Sequence, residues 1–153
     1  MQSIQINSIL TPGRTLCGAP GNSKKRVIEN VAGFICEDIP FLDTNELFDK
    51  LITREKLGST GLGHGIAIPH CRVQNCTSII GTLVKLENAI DFEAIDDESV
   101  DLLFILLVPE QAHDEHLQVL ATLAEKFSDE DFCNRLRSTT NSESLYVAAI
   151  ETI

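Results

Sequence analysis

The chain has 153 residues, 43% hydrophobic and 23% charged, enough to expect one globular domain with a sizeable core over residues 1–153. A net charge of −11 argues against nucleic-acid binding, because such a surface repels phosphate backbones; acidity favours solubility and suits a partner with a basic docking patch. The longest apolar run, Leu102 to Val108, falls far short of the about 20 residues that cross a bilayer, and no secretory signal pattern opens the chain, so a cytoplasmic protein that is not membrane-inserted is expected.

Five cysteines at irregular spacing, without a C-x-x-C pair, read as reduced thiols rather than a zinc ribbon or a redox motif.

In chain order, Ile4 to Leu16 reads as extended or capping chain, and Gly18 to Asn22 as a turn. Ser23 is placed to cap a first helix whose apolar stripe is Val27/Ile28, Val31 and Phe34/Ile35. Asp43-x-x-Glu46 is a capping box for a second helix, which Gly58 ends, so Arg54 falls in its last turn. Strands are expected at Ile66 to Ile68, at Ile79 to Leu86 and at Leu102 to Val108, with a short strand or turn within Ala89 to Ile95. The run from Leu102 is apolar throughout, as a strand covered on both faces should be. Three helices close the chain. The first carries a stripe of Leu117, Leu120/Ala121, Ala124 and Phe127, the second starts at Ser128-x-x-Asp131, and the third at Thr140-x-x-Glu143. Helices, then strands, then helices suggest a single α/β or α+β domain with helices covering a sheet.

The chemistry concentrates in Gly58-Ser59-Thr60-Gly61-Leu62-Gly63-His64-Gly65-Ile66-Ala67-Ile68-Pro69-His70. Glycines without Cβ let backbone N–H groups approach an anion, and a short strand delivers His70. A neutral imidazole is a good nucleophile toward phosphorus. The loop N–H groups, the Ser59 and Thr60 hydroxyls and the Arg54 guanidinium are the donors expected to meet the added charge. A lone histidine is more often structural; the glycines and Arg54 turn the balance.

Other sites are excluded by pattern. The loop lacks the lysine of a Walker A motif. It also precedes a strand, whereas a dinucleotide fingerprint follows one. There is no H-E-x-x-H and no G-x-S-x-G. His113 and His116, spaced i and i+3, raise a metal-ligand reading with His70, or with Cys71 and Cys76, but His113 is more simply a solvated helix-start residue. His116 lies beside the apolar stripe, within reach of a phosphoryl oxygen on His70.

Thr53-Arg54-Glu55-Lys56-Leu57-Gly58-Ser59-Thr60-Gly61, with Gly65-Ile66-Ala67-Ile68-Pro69-His70, resembles the IIA domain of the mannitol/fructose class in the phosphoenolpyruvate-dependent sugar phosphotransferase system (PTS). Phe92 to Asp96 and Val100 to Pro109 extend the likeness over nearly the whole chain. Within that class the free-standing nitrogen-regulatory members match best, so no attached IIB domain or membrane segment is expected. The resemblance implies an α/β fold, a single compact domain with a mixed β-sheet flanked by α-helices on both sides. It implies that His70 accepts a phosphoryl group from an HPr-type phosphocarrier or its nitrogen-branch counterpart. Arg54 and His116 would steady that group, without a metal or organic cofactor. It also implies regulatory targets such as a kinase or a potassium transporter. A sugar-transport IIA subunit that passes the group to a fructose or mannitol IIB domain is the alternative, and a docking module that is not phosphorylated is a third reading. The chain departs from the family twice. Cys71 stands where glycine is usual, expected to crowd the docking face or make the site oxidisable. His64 stands where asparagine is frequent, expected to alter the pKa of the site.

Overall fold

The structure, a computed structural model describing residues 6–112 and 115–151, begins with two 3-10 turns, Ile6–Ser8 and Pro12–Arg14. The expected extended start at Ile4 lies outside the described residues, as does His113. Strand β1 (Thr15–Ala19) follows, so Gly18 and Ala19 belong to a strand, not to the expected turn. Next come α1 (Lys24–Asp38) and α2 (Thr44–Leu57). The Ser23 hydroxyl accepts from the Arg26 N–H at 3.2 Å and the Asp43 carboxylate from the Glu46 N–H at 3.1 Å. Each cap contributes about 1 kcal/mol by satisfying a donor that the helix leaves open.

Strands β2 (Gly61–Gly63) and β3 (Ile66–Ala67) make a tight antiparallel hairpin. Strand β4 (His70–Val73) follows after the break at Ile68 and Pro69. Strand β5 runs over Ile80–Ile90, longer than expected and taking in Ala89, and β6 over Val100–Pro109. The chain ends with α3 (Glu115–Phe127), α4 (Glu130–Arg137) and α5 (Ser142–Ile150).

The sheet is mixed, ordered β1-β5-β6-β3-β2 with β4 also on β6. Strands β3 and β4 both run parallel to β6, with Ile66 opposite Leu102 and His70 opposite Leu106. They keep one register across the break and act as a single interrupted strand. Proline has no N–H to give the ladder, so the break falls at Pro69. This places His70 at the restart of the strand.

Strand β6 is buried on both faces because helices cover both. Leu103, Ile105 and Leu107 pack with Val27, Val31, Ile35, Leu47 and Leu51 of α1 and α2. Leu102, Phe104, Leu106 and Val108 pack with Val119, Leu123, Phe127, Phe132 and Leu145 of α3 to α5. That is the period-2 alternation of a strand, with both sets apolar. Each such side chain contributes about 1.5–3 kcal/mol on burial.

The last three helices differ in detail from expectation. The buried face of α3 carries Val119, Leu123 and Phe127, whereas Leu117 is 55% exposed and Ala121 is also exposed. Both stripes have helical spacing, so the sequence alone does not set the phase. The α4 cap is Asp129, which accepts from Asp131 and Phe132, not Ser128. The α5 cap is Asn141, which accepts from the Ser144 N–H at 2.8 Å, not Thr140. In each case adjacent cap-forming residues compete, and the carboxylate or amide reaches the open N–H.

Candidate active site

Helix α2, strand β4, the end of β6 and the start of α3 enclose a cleft of about 460 Å³. Its walls include Lys50, Arg54 and Leu57 from α2, His70, Cys71 and Arg72 from β4, Val108 from β6 and His116 from α3. Lys50 and Arg54 share a face by their i,i+4 spacing. The lining holds Lys50, Arg54 and Arg72 against the single acid Asp49, so an acidic protein presents a basic cleft.

His70 is held at one nitrogen. Its Nδ1 lies 2.8 Å from the Ile68 carbonyl oxygen. A carbonyl only accepts, so Nδ1 carries the proton and the neutral ring keeps its lone pair on Nε2. That Nε2 lies 3.4 Å from Arg54 Nε, and Arg54 Nη1 donates to the Gly58 carbonyl at 2.9 Å. Burial lowers the His70 pKa below its ordinary 6.5; the Ile68 hydrogen bond works against this, and the charges of Arg54 and His116 add to it. The ring is therefore neutral at neutral pH. His116 leaves its buried Nδ1 without a hydrogen-bond partner among the described residues.

Behind Arg54 lies an ionic anchor that sequence reading missed. Glu55 is only 7% exposed and pairs with Lys24 Nζ at 2.7 Å. It accepts from the Thr60 N–H at 3.1 Å and from the Thr60 hydroxyl. Lys24 also lies 4.8 Å over the Phe92 ring. The Ser59 hydroxyl donates to the Phe92 carbonyl at 2.9 Å and accepts from the Gly61 N–H at 3.0 Å.

The donors of the glycine-rich segment are thus engaged within the fold. The N–H groups of Thr60, Gly61 and His64 go to Glu55, Ser59 and Asp96, and Ser59 and Thr60 do not line the cleft. The glycines serve close packing instead. A Cβ on Gly61 would stand 2.8 Å from Ala94 Cβ, and one on Gly65, at φ +84°, 2.5 Å from Arg137 Nη2. The structure therefore brings His70, Arg54 and His116 together and leaves Ser59 and Thr60 in the wall behind them.

His64 sits in the hairpin turn and lines a different cleft. Its carbonyl accepts from Arg137 at 2.6 Å, and its imidazole is not among the groups acting on His70. Burial pushes the Cys71 thiol up to about 12, so it stays a thiol and not the reactive thiolate. Among the described residues no three His, Cys, Asp or Glu side chains are grouped as metal ligands would be. The signal for Lys50 and Arg72 was present in their spacing, four residues before Arg54 on a helix and two after His70 on a strand.

Residues 8–151 match the family described as "Phosphoenolpyruvate-dependent sugar phosphotransferase system, EIIA 2". The chain belongs to this family. It is 47% identical over 148 residues to the nitrogen regulatory protein of Pseudomonas aeruginosa, covering 97% of this chain and 96% of that one. The crystal structure of the nitrogen regulatory protein IIA-Ntr from Neisseria meningitidis superposes with a TM-score of 0.85 at 39% identity, covering 96% of this chain and 99% of that one. The mannitol IIA of Escherichia coli, at 20% identity and covering 91% of this chain and 97% of that one, shares the fold with a TM-score of 0.73. Membership in the EIIA type-2 family gives this chain a general phosphotransfer role. Among the described residues no helix is long and apolar enough to cross a membrane.

Proposed function

We propose that this IIA protein accepts a phosphoryl group on His70 Nε2 from an HPr-type phosphocarrier and acts as a cytoplasmic regulatory component of the nitrogen branch. The observation that carries the reading is the His70 ring itself. Nδ1 donates to Ile68 and Nε2 is left unprotonated beside Arg54.

In the transfer, the Nε2 lone pair attacks the phosphorus of the carrier's phosphohistidine. A new N–P bond forms as the carrier's N–P bond breaks, and the bonding pair returns to the carrier imidazole. The Nδ1 proton of His70 stays on the Ile68 side throughout. Such a transition state needs positioning and charge stabilisation more than covalent help. Arg54 and His116 supply donors to the phosphoryl oxygens, and Lys50 lowers the cost of bringing a dianion into the cleft. Ser59 and Thr60 take part by holding the segment between α2 and the hairpin. The transfer runs between two imidazoles, without a metal or organic cofactor.

A phosphoryl group adds about −1.5 to −2 of charge to a cleft with three cations and one acid among its lining residues. That change is large enough to alter how a target such as a kinase or a potassium transporter docks there. The nitrogen-regulatory relatives, at 47% and 39% identity, support the regulatory branch over sugar transport.

The test is incubation with phosphoenolpyruvate, enzyme I and the phosphocarrier, followed by mass mapping. An acid-labile phosphate on the peptide holding His70, absent in His70→Ala, is expected. Full-rate labelling of His70→Ala would reject the assignment, and no labelling of the native chain would favour a docking module. Onward transfer to a purified fructose or mannitol IIB domain would favour sugar transport.

A further inference from the structure

We infer that Arg72 is a positioning residue that sets His116 against His70; the inference rests on the phosphoryl-transfer reading above. Arg72 follows His70 by two residues on β4, so both side chains leave the sheet on the same face. That face carries α3, because Leu106 and Val108, opposite His70 and Arg72, pack in the α3 core.

A single nitrogen of Arg72 makes the link. Nη1 donates to the Glu110 carbonyl at 3.1 Å and to the Ala112 carbonyl at 2.6 Å. The Glu110 N–H in turn donates to the Val73 carbonyl, next along β4, at 3.1 Å. Glu110 to Ala112 leads from the end of β6 toward α3, whose second residue is His116. The strand bearing the reactive ring thus holds the segment before the helix that bears the second ring.

Three features make this geometric rather than ionic. The acceptors are main-chain carbonyls. No carboxylate pairs with Arg72 among the described residues. The His116 Nδ1 has no hydrogen bond of its own among the described residues to orient the ring, so its placement follows from where α3 begins. A reacting group misplaced by about 1 Å can cost up to about 100-fold in rate.

The experiment is single-turnover phosphoryl uptake from the phosphorylated HPr-type carrier by the native chain, Arg72→Ala, His116→Ala and the double variant, each checked for native melting behaviour. Arg72 is exposed, so its removal leaves the core intact. Arg72→Ala should be about tenfold slower at saturating carrier, with apparent carrier affinity unchanged. The double variant should match His116→Ala within about twofold, because coupled residues are not additive. Uptake by Arg72→Ala at the native rate, a loss confined to carrier affinity, or an equal further slowing in the His116→Ala background would overturn the inference while leaving His70 as acceptor. A native chain that takes up no phosphate would instead overturn the phosphoryl-transfer reading, and this inference with it.

Discussion

Arg54 and His70 meet across the cleft with Nε 3.4 Å from Nε2, and the same guanidinium is tied back to Gly58 at 2.9 Å. At that distance the contact is too long to occupy the imidazole lone pair firmly. It is close enough to meet charge arriving on Nε2. Under the proposed transfer, the arginine is thus aligned for a phosphorylated ring more than for the resting one, which is what acceleration of that step requires.

Replacing Arg54 by glutamine should remove a charge-assisted contact of about 1.5–3 kcal/mol, slowing phosphoryl uptake roughly 10- to 100-fold. The same change should let the His70 pKa rise, since the Arg54 charge helps to lower it. Rapid-quench labelling and histidine NMR titration measure the two effects. An unchanged uptake rate would show that Arg54 does not touch the transferring group.

Because burial lowers the His70 pKa, protonation inactivates the ring only at a pH below the ordinary 6.5. Uptake should hold level near neutral pH and fall only in more acid solution than an unperturbed imidazole would require. Stability carries the same sign. Between the folded pKa and 6.5 the unfolded chain binds more protons than the folded one, so stability rises with pH across that window. His70→Gln should therefore lose less stability than the native chain between about pH 7 and about pH 5. Urea unfolding at both values checks this, and equal losses would mean that the folded-state pKa is not lowered.

Glu55 anchors Lys24 and Thr60 inside the fold. Glu55→Ala leaves a half-buried ammonium and a buried N–H without their partner. A destabilisation of about 3–5 kcal/mol is expected, the range for breaking a buried pair from one side. Denaturant midpoints measure it. A loss below about 1 kcal/mol, typical of an exposed pair, would contradict the burial of this anchor.

Cys71 should resist thiol reagents in the native protein, because burial pushes its thiol up to about 12. Iodoacetamide at mildly alkaline pH, followed by peptide mapping, should modify it slowly in the native state and rapidly in denaturant. Fast native modification would restore the expectation of an oxidisable site.

Much of the scaffold was legible because local signals agreed. Ser23, Asp43 and Gly58 bound the first two helices as read, and the apolar run at Leu102 is the doubly covered strand. The meeting of Arg54 with His70 was legible from the family motif. The role of the glycines was not, because a glycine that admits an anion and one that admits a neighbouring backbone leave the same mark in sequence. Gly61 faces Ala94 and Gly65 faces Arg137, partners distant along the chain. Ser59 turns inward for the same reason, drawn by Phe92, whereas Thr60 is drawn by Glu55, five residues earlier. The phase of α3 was also hidden, since Leu117 and Val119 both fit a helical stripe and only the sheet beneath selects Val119.

Nitrogen-15 NMR of the histidine-labelled protein after phosphorylation by the carrier identifies the reacting atom. A phosphorus coupling to Nε2 of His70 is expected, with the proton retained on Nδ1. A coupling to Nδ1, or to another histidine, would contradict it.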